Sequence, residues 1–192
     1  MNPLPPLIFL GDTHGFIEDF KKQKEIISRF EPELVLCEKL ENFSLKSERD
    51  YKKILKKKEI SNMTSFNEVK ELVKFCHNKK IKLIGIDFKN FGLNKNLQGK
   101  INRQITLNTN EKREIQFILN KRDKNHIRRI KQCIKKTKKT ILVIIGTWHL
   151  RENSDLMKTF KNYRMIFPCN KKGEIITEPL GNEEVFYCEK IK

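Results

Sequence analysis

Alanine is absent from the 192 residues, tryptophan occurs once and tyrosine three times. Lysine far outnumbers arginine, and isoleucine and asparagine are abundant. That is the composition an AT-rich genome imposes on all its proteins, so it accounts for much of the +17 formal charge. No run approaches the ~20 apolar residues of a membrane-spanning helix. The opening MNPLPPLIFLG lacks both the basic start and the apolar length of a signal peptide. The expectation is a soluble, cytoplasmic protein with no membrane partner. The five cysteines, Cys37, Cys76, Cys133, Cys169 and Cys188, form no C-x-x-C pair. Their scatter supports neither zinc-finger spacing nor a disulfide framework. Cys37, Cys76, Cys133 and Cys188 fall in apolar patterns, where a free thiol acts as a small hydrophobe.

Repeats and Gly/Ser linkers are also missing, so residues 1–192 read as a single domain. A chain of this length buries roughly 70% of its unfolded surface and needs no metal or disulfide to hold its core. The densest basic runs, YKKILKKKEI and KQCIKKTKKT, are not interleaved with the aromatics that single-strand binders stack on bases. Weak, nonspecific attraction of nucleic acid follows from the charge alone.

Strand patterns alternate with helical ones. LIFL (7–10), LVLC (34–37), IKLIGI (81–86) and TILVII (140–145) are continuous apolar runs, as parallel strands covered on both faces require. Phe16, Phe20, Ile27 and Phe30 mark a first helix that Pro32 ends. A lysine-rich stretch, about 42–63, reads as helical in part. Ser65 and Glu68 form a capping-box pattern before Val69, Leu72, Val73 and Cys76 at i, i+3, i+4 and i+7. A long helix is expected from about 110 to 135, a short one at Leu156, Met157 and Phe160, and two late strands at YRMIFPC and EVFYCEKI. The Gly/Asn-rich stretch 89–109 reads as a long active-site loop. The fold class is therefore α/β, a mostly parallel central sheet with helices on both faces.

Each of the first four strands ends on polar residues: Gly11-Asp12-Thr13-His14, Glu38, Asp87 and Gly146-Thr147-Trp148-His149. Singly they have plain readings. Asp12 caps a helix, Glu38 and Asp87 sit in turns, and His149 packs in the core. In a parallel sheet, however, all four ends share one edge, where α/β folds build their sites. The long helix adds to them. Its apolar stripe, Ile115, Leu119, Ile130 and Cys133, passes through Arg122 and His126. An arginine in such a stripe must snorkel or meet an anion.

These motifs resemble the superfamily of the TraB, Tiki, ChaN-like and erythromycin-esterase-like proteins. Gly11-Asp12-Thr13-His14 matches the opening Gly-x-x-His element, with Asp for the usual Glu. LVLCEKLEN supplies the acid-ended second strand at Glu38. KRDKNHIRRI matches the Arg-Asp-x-x-Met-Ala helix through Arg122 and Asp123, with His126 where Met is usual. TILVIIGTWHL carries the second Gly-x-x-His at Gly146 and His149. The resemblance covers residues 7–150. It implies an α/β fold with the two Gly-x-x-His elements facing each other across a hydrolytic site.

On that resemblance, His14 and His149 with Glu38 or Asp12 would hold a divalent metal (manganese, cobalt, zinc or iron), and Asp87 and His126 are further candidates. The metal would activate water, a remaining carboxylate would take its proton, and Arg122, beside Asp123, would bind an oxyanion or a substrate carboxylate. The bond cleaved would be an ester or amide in a small molecule or peptide. In a metal-free version one histidine activates the water. Two other readings stay open. One is a non-catalytic basic module for nucleic acid or a protein partner, favoured if Lys52, Lys53, Lys56, Lys57 and Lys58 join Lys135, Lys136, Lys138 and Lys139 in one face. The other is a calcineurin-like metallophosphoesterase, whose opening LGDTHG fits but whose further Gly-Asp-x-x-Asp and Gly-Asn-His motifs are missing.

Overall fold

The computed structural model describes residues 7–13, 17–57, 66–137, 139–177 and 185–192. Seven strands form one mixed sheet: β1 (Leu7–Asp12), β2 (Leu34–Cys37), β3 (Ser44–Leu45), β4 (Lys82–Gly85), β5 (Ile141–Gly146), β6 (Tyr163–Cys169) and β7 (Phe186–Ile191). Their order is β3-β4-β2-β5-β1-β6-β7. The five central strands are parallel and the two edge strands antiparallel. The helices are α1 (Ile17–Phe30), α2 (Glu48–Leu55), α3 (Phe66–Asn78), α4 (Lys95–Asn102), α5 (Thr109–Ile134) and α6 (Asp155–Thr159). This is the α/β class expected from the strand pattern.

The strand runs are apolar throughout because both faces are covered. Ile8 and Leu10 of β1 join Ile26 and Ile27 of α1 and Val69, Leu72 and Val73 of α3. Leu7 and Phe9 point the other way, to Ile130 of α5 and to Leu156 and Met157 of α6. A one-residue slip would exchange the two sets, so register is firmly specified. β1 and β5 are neighbours, yet α1 carries the chain from β1 to β2 on one face while α6 lies on the other between β5 and β6. Adjacent strands leaving on opposite faces open a crevice at their carboxyl ends.

Three expectations change. The 89–109 stretch is not one loop. A helical turn spans Lys89–Gly92, and α4 follows with Asn94 as its cap, accepting from the Leu97 N–H. Asn108 and Glu111 then form a capping box at the start of α5. The asparagines that read as loop residues are helix caps. The lysine-rich segment holds the short edge strand β3 as well as α2, whose Tyr51 and Ile54 are buried. Finally, Cys169 and Cys188 are joined by a disulfide between β6 and β7. Their pairing becomes visible only when the two strands lie side by side, with Cα atoms 6.0 Å apart. No helix among the described residues is long and apolar enough to cross a membrane. The Ser65–Glu68 capping pair lies outside the described residues.

Candidate functional site

The α5 side of the carboxyl edge gathers six side chains from four segments. Glu38 opens the 3-10 turn after β2, Asp87 lies just past β4, and His149 sits in the turn Thr147–Leu150 after β5. α5 contributes Arg122, Asp123 and His126. It is pinned to the end of β4 by Asn125 Nδ2, which donates to the Ile86 carbonyl, and by Arg129, which donates to the Gly85 carbonyl, each at 2.8 Å. These two residues were not among the expected positioning groups. They lie on polar positions of α5, where nothing in the sequence marks a backbone partner.

Arg122 meets the anions that its place in an apolar stripe requires. One amino group donates to Glu38 Oε1 at 2.5 Å and lies 2.6 Å from Asp87 Oδ2, and Nε donates to Asp87 Oδ2 at 2.8 Å. Phe91, from the turn expected as loop, packs beneath the guanidinium. The other carboxylate oxygens also have donors. The Gly146 N–H donates to Glu38 Oε2 at 2.7 Å, and the Phe88 N–H donates to Asp87 Oδ1 at 2.7 Å. A Cβ at Gly146 would lie 3.3 Å from Glu38 Oε2, a tight contact that glycine avoids.

His149 lies between two acids. Its Nε2 is 3.4 Å from Glu38 Oε1 and its Nδ1 is 2.7 Å from Asp123 Oδ1. Burial opposes its protonation, but Glu38 and Asp123 outweigh burial and push its pKa up to about 10. For Glu38 burial favours the neutral acid, but His149 and Arg122 outweigh it and hold the carboxyl well below its ordinary value. Arg122 is likewise opposed by burial and raised by Glu38 and Asp87. Without a further ligand, His149 is an imidazolium and Glu38 a carboxylate at neutral pH.

His126 is different. Its ring is fully buried and meets the His149 ring edge-on, with centroids 5.1 Å apart. Nε2 is 3.3 Å from Asp87 Oδ2, and neither ring nitrogen has a hydrogen-bond partner among the described residues. Two groups here could hold a metal ion, Asp123–His126–His149 and Glu38–Asp87–His126, with the ligand atoms of each within 4.8 Å of one another. Imidazole nitrogens with carboxylate oxygens suit divalent zinc, manganese, iron or cobalt. A buried imidazole without a hydrogen bond among the described residues is the kind of group an ion would satisfy.

Of the expected set of His14, His149 and Glu38 or Asp12, His149 and Glu38 do meet. His14 lies outside the described residues. Asp12 turns to the opposite face, because strand alternation places it with Ile8 and Leu10 rather than with Phe9. There its Oδ2 is 2.7 Å from Lys39 Nζ, and its Oδ1 accepts from Gln23 Nε2 at 2.8 Å. Lys39 is almost fully buried, and its sequence position beside Glu38 carried no sign of this role.

A cavity of about 440 Å³ is lined by Asp12, Glu38, Arg122, Gly146 and His149. A smaller one of about 220 Å³ reaches Asp123 and His149 from the other side. Leu119 and Trp148 line both, and Trp148 is half exposed. Of the basic runs, Lys136 and Lys139 line separate grooves at Lys82, neither shared with the α2 lysines, and Lys58 and Lys138 lie outside the described residues. Comparison with family models, curated proteins and solved structures found no match for this chain.

Proposed function

We propose that the chain is a hydrolase of ester or amide bonds, of the TraB, Tiki and erythromycin-esterase-like kind, acting at the carboxyl edge of the sheet on a small molecule or peptide. The observation that carries this reading is the convergence of His126, His149, Glu38, Asp87, Asp123 and Arg122 beside an open cavity. When a divalent cation is bound, the chemistry it supplies is acidification of water, the nucleophile of a hydrolysis. Glu38, Asp87, Asp123, His126 and His149 are the groups that would hold it. Arg122 borders the cavity while Glu38 and Asp87 fix its guanidinium, so its remaining N–H groups are oriented for an oxyanion before substrate arrives. In a metal-free version of this reading, Asp123, the most exposed of the three acids, is placed to take a proton at the cavity surface. In that same metal-free version, His149 carries a proton it can return to a leaving group. Trp148 and Leu119 offer the apolar wall.

The test is a panel of nitrophenyl esters and quenched fluorescent peptides, assayed with metal-stripped protein and after addition of Mn²⁺, Co²⁺ or Zn²⁺. Turnover that falls at least 100-fold in Arg122→Ala and His149→Ala is expected, since one preorganised oxyanion donor is worth about 10²–10³ in rate. No ester or amide cleaved under any condition would overturn the reading.

A further inference from the structure

The cluster does not treat its two candidate ligand groups equally. The oxygens of Glu38 and Asp87 already accept from Arg122, from the Gly146 N–H and from the Phe88 N–H. The other group is less complete. Among the described residues neither ring nitrogen of His126 has a hydrogen bond, and the buried Asp123 Oδ1 has only its 2.7 Å ion-pair contact with His149 Nδ1. Asp123 and His126 stand at i and i+3 of α5, one above the other on a single face. An acid and a histidine at that spacing are what a helix needs to present two ligands to one ion, as di-metal helix bundles do with Glu-x-x-His.

We propose that Asp123, His126 and His149 form a two-histidine, one-carboxylate site for a single divalent transition-metal ion, with Glu38 and Asp87 behind the histidines as orienting groups. This deepens the hydrolase reading and rests on it for the site's purpose. The contacts divide the ring nitrogens accordingly. His149 turns Nε2 to Glu38 and Nδ1 to Asp123, and His126 turns Nε2 to Asp87, leaving its Nδ1 as the ligand. Ligand histidines commonly turn their other nitrogen to a carboxylate, and here Asp87 Oδ2 and Glu38 Oε1 stand 3.3 and 3.4 Å from those nitrogens. Arg122 then bridges the two supporting carboxylates. With both imidazoles neutral, Glu38, Asp87 and Asp123 exceed Arg122 by two negative charges, the charge of one divalent ion. Tetrahedral bonds of ~2.0–2.1 Å set ligand atoms ~3.3 Å apart. The present atoms lie within 4.8 Å, so small side-chain rotations close the site. Three protein ligands leave a position open, and both cavities reach His149.

The experiment uses the full, metal-stripped chain with Zn²⁺ counted by equilibrium dialysis and Co²⁺ followed by its visible absorption, in the absence of any substrate. One ion per chain is expected. Affinity should fall more than about 100-fold in Asp123→Asn, His126→Met and His149→Ala, and about 10–100-fold in Glu38→Gln and Asp87→Asn. His77→Ala removes a histidine that pairs with Glu48 on another part of the surface, and should bind as the wild type does. Asp123→Asn, partly exposed, keeps the test meaningful if His126→Met fails to fold. The proposal is overturned if wild type takes up no ion, if Asp123→Asn and His126→Met bind normally, or if His14→Ala abolishes binding that His126→Met retains. A bound ion without ester or amide cleavage would sink the hydrolase reading and leave the metal site standing. Cleavage by chain that takes up no ion would do the reverse.

Discussion

Two buried polar clusters lie at the same edge of the sheet, on opposite faces. On the α1 face Asp12, Lys39 and Gln23 form a closed set, with both Asp12 oxygens engaged. On the α5 face three acids, two histidines and an arginine crowd together, yet among the described residues His126 has no hydrogen bond. The difference separates two uses of buried charge. A buried pair whose partners are complete holds a structure together. A cluster that leaves a deeply buried donor unsatisfied is costly unless something else completes it. The first is read as architecture and the second as a site.

Removing Asp12 should break the closed cluster most severely. Asp12→Ala takes away the carboxylate facing a Lys39 side chain only 9% exposed. A loss of about 3–5 kcal/mol is expected, the usual cost when a buried pair loses one partner. Urea denaturation measures it, and Zn²⁺ affinity of whatever remains folded should not change. If affinity falls with stability, the two clusters are one.

A control that touches neither cluster is reduction of the Cys169–Cys188 bond, or Cys188→Ser. With its ends 19 positions apart in the chain, the bond should contribute about 3 kcal/mol by loop closure. Its loss should lower the melting temperature and leave metal binding alone. An unchanged melting temperature would mean that the two thiols are not joined in solution.

The open cluster should also set the pH dependence of the metal-free protein. His149 is raised from 6.5 to about 10, so its contribution is fully present below pH 6.5 and is lost as pH rises through about 10. Glu38 is lowered from 4.5, so its contribution is present above pH 4.5 and is lost as pH falls through its folded value. Stability should therefore peak between about pH 4.5 and 6.5. His149→Asn should flatten the alkaline limb, and an unchanged limb would show that the histidine is neutral when folded.

The smallest effect has the most telling sign. His126→Met replaces an unpartnered buried imidazole with an apolar side chain that needs no hydrogen bond. The metal-free variant should gain about 1 kcal/mol while losing its ion. A loss of stability instead would mean that His126 holds the fold rather than a ligand.

The strands and the edge they share were legible in the sequence, because a parallel strand buried on both faces must be apolar along its length and can turn polar only at its end. The same rule brought Glu38, Asp87 and His149 together in advance, and the 3.6-residue stripe drew Arg122 and His126 in after them. Other features depend on pairs distant in the chain. Alternation along β1 sends Asp12 to the opposite face from Phe9, and only the neighbouring helix decides whether that face meets Lys39 or His149. The cysteines join because β6 and β7 adopt one register. The asparagines of the supposed loop cap helices. Local periodicity states which residues must be hidden. Only the packed chain decides what each hidden polar atom faces, because a hydrogen bond or an ion pair is set by ångström distances between segments that the sequence keeps far apart.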